Sequence, residues 1–425
     1  MNLVLISDTH FGDPEGTLIV RKGRGALVPG PKYHDFKRAA GSGNDYLILL
    51  GDVLDFAVES YDEAYRIAQA FFLQIQKDKI AKQIVYVPGN HDEDIWHTVE
   101  HQVNIIYQID NGRFPHRFRM SVPGIIDDRS SSKRKRLMLP GVTERKVRGQ
   151  FGYGGLFLDK ITVPRGSQTR FNFAYPNLYL ATDAGAVLIT HGHYLEEYWS
   201  LVSEWGPTVF RADLHVSKPM TLRDMVSINF PTNQLACSGV GQAGPLTHTI
   251  RSLLADLRNH RPGGMKQYLD RFGKTLSKRA FGYSLIDPRK WITSSLMWWA
   301  KREILKSLET IEDVRYSKEF VLKPEVRQRF RRFFDRSAEE IRCLNQNYGY
   351  ELPIPTDVIF GHTHQPVPWG SSEIPPLEGP EGQRIRLFNA GGWLAGKLQD
   401  GRSEFCGAEV FKYETGKGMS SVSVR

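Results

Sequence analysis

The chain has 425 residues, of which 40% are hydrophobic and 24% are charged, and its formal net charge is +9. This composition is typical of globular proteins, and the length allows one large domain with an insertion or two domains. No run of about 18 apolar residues occurs, so we expect no membrane-spanning helix, and the three scattered cysteines argue against a disulfide framework and favour a reducing, cytoplasmic location.

The first predicted element is a strand that ends in an Asp-x-His pair. Residues 2–6 are a short apolar run, which we assign to a buried strand rather than to a cleavable leader. Asp8 and His10 follow directly, so this strand would carry two metal-binding side chains at its carboxyl end. An Asp-x-His pair occurs by chance in many sequences, and it gains weight here because the arrangement recurs.

Four later apolar runs also end in a group of Asp, Asn or His residues. The runs at 46–50, 84–88, 186–190 and 357–360 precede the blocks Gly51-Asp52, Gly89-Asn90-His91-Asp92, His191-Gly192-His193 and Gly361-His362-Thr363-His364. Such continuous apolar runs are typical of parallel strands, and the ligands of open α/β sheets gather at the carboxyl ends of the strands. The sequence therefore predicts five strand tips that converge on one site.

The segments between these runs predict a crossover helix and additional strands. Apolar residues recur at helical spacing over 61–82, which indicates an amphipathic helix that covers one face of the sheet. Further along, 103–109, 114–122 and 171–180 are short β-prone pieces. Residues 178–190 predict a β-hairpin whose second strand presents His191.

Residues 194–354 are predicted to be mainly helical. Plausible helices lie at 246–257, 265–276, 291–311 and 325–344. The third contains Trp298 and Trp299 in an apolar surface wider than one stripe, for which burial inside a helical cap is favoured over a lipid-facing surface at a membrane. We predict a discontinuous catalytic domain of residues 1–193 and 355–425, interrupted by a helical cap of residues 194–354.

The strand-tip residues predict a metal centre. Seven side chains are candidate ligands: Asp8, His10, Asp52, Asn90, His191, His362 and His364. Oxygen donors mixed with imidazoles suit manganese, iron or zinc, with manganese preferred, rather than a thiolate site or an all-oxygen calcium site. Seven ligands are too many for one catalytic ion but suit two divalent ions that share a carboxylate, and Asp52 is the natural bridge. Two ions can hold a bridging hydroxide as nucleophile, and His91 is the candidate acid for the leaving group.

Taken in order, the blocks Asp8-x-His10, Gly51-Asp52, Gly89-Asn90-His91-Asp92, His191 and Gly361-His362-Thr363-His364 resemble those of the calcineurin-like metallophosphoesterase superfamily. The resemblance implies an α/β fold, a sandwich of two mixed β-sheets flanked by helices, here with a large helical insertion. It implies that Asp8, His10 and His364 hold one ion, that Asn90, His191 and His362 hold the other, and that Asp52 lies between them. It also implies that His91 contacts the substrate phosphate and acts as the acid, with Asp92 orienting it.

The sequence leaves three substrate classes open: a small phosphoester or nucleotide, a lipid-linked pyrophosphate, and nucleic acid. The net positive charge favours a phosphate-bearing partner. The place of the insertion and the Gly51-Asp52-x-x-Asp55 pattern are similar to those of bacterial UDP-diacylglucosamine pyrophosphatases, although this insertion is longer. The basic tract Lys133–Arg148 is expected to be a solvated loop, with nucleic-acid binding as its alternative.

The sequence leaves the roles of two residues open, and it allows one function other than catalysis. Asp55 is expected to stabilise the turn after Asp52, and His193 either supports the metal site, contacts substrate or is structural. The alternative to an enzyme is a scaffold that keeps the fold and binds protein partners. Such a chain would be expected to lack metal ligands or His91, and none of these is missing.

Overall fold

The computed structural model describes residues 1–23, 25–133, 136–142, 170–196, 199–200, 203, 220–234, 318–379, 382–397 and 403–425. The helices predicted at 246–257, 265–276 and 291–311 lie outside these residues, together with Trp298 and Trp299. Most of the basic tract Lys133–Arg148 also lies outside them.

The first large sheet has six strands and is mixed. Its spatial order is β17 (Gly418–Val424), β16 (Ala408–Glu414), β1 (Asn2–Ser7), β4 (Asn44–Leu50), β5 (Ala81–Val87) and β8 (Arg170–Phe173). Strands β1, β4, β5 and β8 are parallel, whereas β16 and β17 are antiparallel to their neighbours. Three of the five predicted motif strands, β1, β4 and β5, are therefore adjacent and point the same way.

The second large sheet has seven strands and is also mixed. Its spatial order is β12 (Leu377–Glu378), β13 (Arg384–Asn389), β11 (Asp357–Phe360), β10 (Gly185–Thr190), β9 (Asn177–Thr182), β6 (Gly124–Asp127) and β7 (Leu137–Met138). Strands β10 and β11, which precede the fourth and fifth motif blocks, are parallel neighbours. Two small ribbons complete the strands: β2 (Ile19–Lys22) with β3 (Ala26–Pro29), and β14 (Ala395–Lys397) with β15 (Ser403–Phe405).

The two sheets share one hydrophobic core, which confirms the predicted sandwich. The first sheet contributes Leu3, Leu5, Ile48, Leu50, Val85 and Val87, and the second contributes Leu178, Leu180, Val187, Ile189, Ile359 and Phe388. Side chains of a strand alternate between its faces, and the intervening Val4, Ile6, Leu47 and Leu49 are buried as well. Burial on both faces is why these strands are continuous apolar runs.

Six α-helices have bounds within the described residues: α1 (Tyr33–Ala40), α2 (Tyr61–Lys77), α3 (Glu93–His101), α4 (Tyr107–Asp110), α5 (Leu222–Gln234) and α6 (Pro324–Tyr348). Trp199, Ser200 and Ser203 are helical as well. A π-helical segment (Gln102–Ile106) joins α3 to α4, and 3-10 helices cover His193–Leu195 and Lys318–Leu322. Within this part of the chain, no helix combines the length and the apolarity needed to cross a bilayer. The crossover helix predicted over 61–82 is confirmed as α2, which packs Phe71 against Phe36 of α1 and Phe11.

Two of the predicted β-prone pieces differ in the structure. Residues 103–109 continue α3 as π- and α-helix, and the face that they bury is polar: Asn104 donates a hydrogen bond to Glu100 four residues earlier, and Gln108 is buried as well, whereas Ile106 and Ile109 are exposed. Residues 114–122 contribute only an isolated bridge between Val122 and Tyr175. The hairpin predicted over 178–190 is confirmed as β9 and β10.

Helix α6 lies within the predicted cap, as does α5, and it packs directly on the second sheet. Pro324 occupies its first turn and Gly349, with φ of 64°, ends it, as expected from the local sequence. Phe330 is fully buried, and its ring centroid lies 5.2 Å from that of Phe360 on β11. Phe333 stacks on Tyr194 at 6.2 Å between ring centroids. This packing places α6 directly behind the fifth motif block.

We predict that Phe330→Ala lowers the free energy of unfolding by about 3–5 kcal/mol, because it leaves a cavity between α6 and β11. Chemical denaturation followed by circular dichroism measures the change. The exposed neighbour Arg331 is the control, since Arg331→Ala should change the same free energy by less than about 0.5 kcal/mol. Equal, small effects of both substitutions would mean that α6 does not stabilise the sheet.

Candidate metal centre

The five predicted blocks follow the carboxyl ends of β1, β4, β5, β10 and β11. Hydrogen bonds join the loops in which they lie. Within the first sheet, His10 N donates to Asp52 O at 2.9 Å. Between the two sheets, His362 N donates to Asp8 Oδ2 at 3.0 Å. The predicted convergence of strand tips is therefore present in the fold.

The backbone at these tips adopts a conformation that non-glycine residues rarely take. Seven of the described non-glycine residues have a positive φ, and five of the seven are predicted ligands: Asp8 (54°), His10 (44°), Asp52 (47°), His362 (67°) and His364 (52°). Each such residue costs on the order of 1–3 kcal/mol and persists only where the surrounding structure holds it. Clustering of this conformation is characteristic of functional sites.

Two motif glycines allow the carboxylates to approach the neighbouring loops. A Cβ atom at Gly361 would overlap Asp8 Oδ2, and one at Gly89 would overlap Asp52 Oδ1. The glycines that precede the Asn90 and His362 blocks are therefore required by the close packing of the two carboxylates. This steric requirement explains why these motif blocks begin with glycine.

The first group of candidate ligands contains Asp8, His10 and His364, all buried. The Nε2 atoms of His10 and His364 lie 3.0 Å apart. His364 Nε2 lies 3.2 Å from Asp8 Oδ1, and His10 Nε2 lies 3.8 Å from the same oxygen. One carboxylate oxygen and two imidazole nitrogens thus face a common point.

The second group contains Asp52, His191 and His362, with Asn90 beside them. His191 Nε2 lies 3.2 Å from Asp52 Oδ2 and 3.2 Å from Asn90 Oδ1. The Nδ1 atom of His362 is buried and has no hydrogen-bond partner among the described residues. This group therefore also presents carboxylate, amide and imidazole donors to one place.

Asp52 lies between the two groups. Its Oδ2 atom is 3.8 Å from His10 Nε2 and 3.2 Å from His191 Nε2, so a single oxygen faces both sets of imidazoles. Its other oxygen, Oδ1, accepts a hydrogen bond from the His91 backbone N–H at 2.8 Å. The carboxylate is thereby fixed with one oxygen directed at both groups.

Asp55, which was expected only to stabilise a turn, connects two imidazoles of the site. Its Oδ2 lies 2.8 Å from His10 Nδ1, and its Oδ1 lies 2.7 Å from His91 Nδ1. It also accepts a 3.3 Å hydrogen bond from the backbone N–H of Val58, so the turn role holds as well. Both rings are oriented with Nδ1 towards Asp55, which leaves their Nε2 atoms for the centre.

The contact with His91 that was expected of Asp92 is made by Asp55. Asp92 is fully buried and accepts hydrogen bonds from the backbone N–H groups of Val53 and Gly89, both at 2.7 Å, and from the Tyr86 hydroxyl. Asp92 therefore holds the loop after β4 against the loop after β5. In this structure it supports the site through the backbone.

The charges of the site shift the proton affinities of its residues. Burial lowers the pKa of His10, but hydrogen bonds to Asp55 and Asp8 outweigh burial and raise the pKa to about 10. Burial also lowers the pKa of His191, whereas attraction to Asp52 and Asp8 raises it to about 9. Burial alone would raise the pKa of Asp52, but the charges of His191 and His91 keep that pKa well below its ordinary range. The site therefore favours anionic carboxylates and needs positive charge beside them.

Sequence reasoning did not identify Glu196, whose Oε2 atom lies 2.8 Å from His362 Nε2. The only available signal was a pair of acidic residues directly after the His191 block. His193 is buried beside the same group, with its ring centroid 5.5 Å from that of His191. Neither of its ring nitrogens has a partner among the described residues, and burial holds its pKa well below the ordinary value.

The residues present fit divalent metal ions. Among the described residues, every ion-pair contact to Asp8, Asp52 and Asp55 comes from a histidine, so no lysine or arginine neutralises these carboxylates. Buried charges require partners. The Nδ1 of His362, which is buried and has no partner among the described residues, is a further candidate donor in the group of Asp52 and His191. Carboxylates with imidazoles are the donor set of manganese, iron and zinc sites.

The fold and the site together define a metallophosphoesterase. The family model of the calcineurin-like phosphoesterases matches residues 1–218, about half of the chain, and the protein belongs to this family. The matched residues contain the first four motif blocks, and the structure brings the fifth block, with His362 and His364, to the same site. A comparison with curated proteins finds no match.

We predict that the metal-free protein loses thermal stability as the pH rises from about 6.5 to 10. The pKa values of His10 and His191 in the folded state lie above the unfolded value of about 6.5. Their contribution is therefore complete below pH 6.5 and is lost as the pH rises through 9 and 10. Differential scanning calorimetry in chelator checks this, and His191→Asn should reduce the decline. A melting temperature that rises over this interval would contradict the expectation.

Proposed function

We propose that this protein is a dinuclear metal-dependent hydrolase that cleaves a phosphomonoester, phosphodiester or pyrophosphate bond. The observation that carries the proposal is the position of Asp52 Oδ2, which faces His10 Nε2 on one side and His191 Nε2 on the other. A carboxylate oxygen shared by two donor sets is what a pair of ions requires. Manganese is the preferred metal, with iron or zinc as alternatives.

Seven residues would hold the two ions. Asp8, His10 and His364 would hold one, Asn90, His191 and His362 would hold the other, and Asp52 would contact both. When bound, two divalent ions supply a water molecule activated for attack and neutralise the charge of the phosphate. The protein supplies their spacing through the rigid strand tips.

His91 is the proposed acid. Its side chain is 12% exposed, whereas those of Asp8, His10, Asp52, His191, His362 and His364 are at most 7% exposed. Its Nε2 atom lies 4.0 Å from Asp52 Oδ2, at the edge of the centre, and its Nδ1 is held by Asp55. With Nδ1 held by Asp55, the Nε2 atom of a protonated His91 would be placed to bind a phosphate oxygen and to donate its proton to the leaving alkoxide.

Substrate, partners and location follow as proposals. The substrate is a small phosphoester, a nucleotide or a lipid-linked pyrophosphate, hydrolysed in the cytoplasm. Nucleic-acid binding was suggested by the basic tract Lys133–Arg148, most of which lies outside the described residues. Peripheral membrane contact was suggested by Trp298 and Trp299, which lie wholly outside them. Residues 194–354 are proposed as a cap inserted into the catalytic domain of residues 1–193 and 355–425.

The competing function is a scaffold that keeps the fold and binds protein partners. Elemental analysis of the purified protein after metal loading and desalting separates the two. An enzyme should retain two equivalents of metal and hydrolyse at least one member of a panel of aryl phosphate mono- and diesters, nucleotides and UDP-sugars. Absence of both retained metal and hydrolysis would favour the scaffold.

We predict that His91→Ala lowers kcat by about 10²–10⁴-fold for alkyl phosphoesters, because the leaving alkoxide then departs without a proton donor. The loss should be smaller for 4-nitrophenyl esters, whose leaving group needs no proton. Steady-state kinetics over a series of leaving groups measures the difference. His34→Ala, which removes an exposed histidine outside the site, is the matched control and should change neither value.

Asp52→Asn should reduce turnover of every ester to background and weaken metal retention, while circular dichroism shows an intact fold. The contrast separates the two roles, since His91→Ala should retain both metal equivalents. Unchanged kcat of the His91 variant across the leaving-group series would remove its assigned role.

A further inference from the structure

Glu196 is a buried carboxylate that reaches the second group of ligands from the first turn after β10. It is 7% exposed, and its Oε2 atom lies 2.8 Å from His362 Nε2. The indole N–H of Trp199 donates to the same oxygen at 3.1 Å. The Glu196 backbone N–H also donates to His193 O at 3.0 Å, which fixes the residue at the end of the 3-10 turn.

The contact with Glu196 sets the tautomer of His362. A carboxylate only accepts hydrogen bonds, so the imidazole must carry its proton on Nε2 and donate it to Glu196. The lone pair is then on Nδ1, the buried atom that has no partner among the described residues. A metal ligand requires an unprotonated nitrogen. The hydrogen bond therefore prepares His362 to bind through Nδ1.

We propose that Glu196 is a positioning residue that orients His362 as a ligand of the second metal ion. The inference rests on the proposed function, since it requires an ion in the group of Asp52, His191 and His362. Glu196 touches neither that ion nor the substrate in this role and acts through the imidazole. Carboxylates that accept from the distal nitrogen of a ligand histidine fix its ring and increase its basicity.

The first group of ligands contains the same arrangement, built from a different part of the chain. Asp55 Oδ2 lies 2.8 Å from His10 Nδ1, and the Nε2 atom of His10 faces Asp8 and His364. Each proposed ion thus has one imidazole backed by a buried carboxylate, Asp55 on one side and Glu196 on the other. The pairing predicts that the two carboxylates affect different ions.

Calorimetric titration of the metal-stripped protein with Mn²⁺ tests the proposal. The unchanged protein should bind two equivalents. Glu196→Gln, which keeps the size and an acceptor oxygen but removes the charge, should weaken one equivalent by about 10- to 100-fold and leave the other unchanged. His362→Ala should abolish the same equivalent and so identify it, whereas Asp55→Asn should weaken the other one.

The matched control is Glu100→Gln, which neutralises a buried glutamate near the C-terminal end of α3. Glu100 accepts hydrogen bonds from the side chain of Asn104 and from the backbone N–H of Arg119. The substitution should leave both Mn²⁺ affinities unchanged, which separates a specific effect from loss of a buried charge. If Glu196→Gln does not fold, Trp199→Phe removes the donor that anchors Glu196 and should weaken the same equivalent to a smaller extent.

The results distinguish this inference from the proposed function. Wild-type affinity for both equivalents in Glu196→Gln, or in Trp199→Phe if that variant is used, would overturn the role of Glu196 and leave a two-metal enzyme. Equal weakening of both equivalents would also overturn it, because it would indicate a general structural role. An unchanged protein that binds no Mn²⁺, Fe²⁺ or Zn²⁺ would instead refute the proposed function.

Discussion

The structure depends on placing carboxylates, out of contact with water, at the ends of strands from two sheets. Asp8, Asp52, Asp55 and Asp92 are all at most 1% exposed, and none is paired with a lysine or arginine among the described residues. Isolated buried carboxylates are strongly unfavourable. Backbone N–H groups satisfy Asp92, but the other three face imidazoles that can share protons or, in their place, divalent cations. The folded state therefore has a built-in requirement for positive charge at this point.

Meeting this requirement constrains the backbone as well as the side chains. The positive φ values of five predicted ligands and the close approach of Gly89 and Gly361 to carboxylates belong to the same arrangement. The two sheets keep the strained turns in place because their shared core fixes the strand ends relative to each other. The strained backbone thus lowers stability at the strand tips, where the geometry of the site must be fixed, which is a common property of functional sites.

The sequence predicted the parts of this arrangement that depend on local patterns. Buried strands are visible as apolar runs, and a ligand that directly follows a strand, such as Asp8 or His191, is placed by the strand itself. Contacts between distant segments are not visible in this way. Nothing local distinguishes Asp55 from Asp92 as the partner of His91, or singles out Glu196, because these roles depend on which side chains meet across loops. Residues 103–109 were misassigned because their β-branched residues favour a strand locally, whereas the segment extends α3 through buried polar contacts such as that of Asn104 with Glu100.

The two buried carboxylates Asp55 and Glu196 contact imidazoles of the site in different surroundings. Glu196 contacts His362 and accepts a hydrogen bond from Trp199, and α6 packs against β11, the strand that precedes His362, through Phe330 and Phe360. Asp55 instead contacts His91, the most exposed histidine of the site. Among the described residues the site is therefore least covered at His91, which is where the proposed acid would meet a substrate. Glu196, in the segment that begins the predicted cap, is thus buried beside His362, whereas the described residues leave His91 partly exposed.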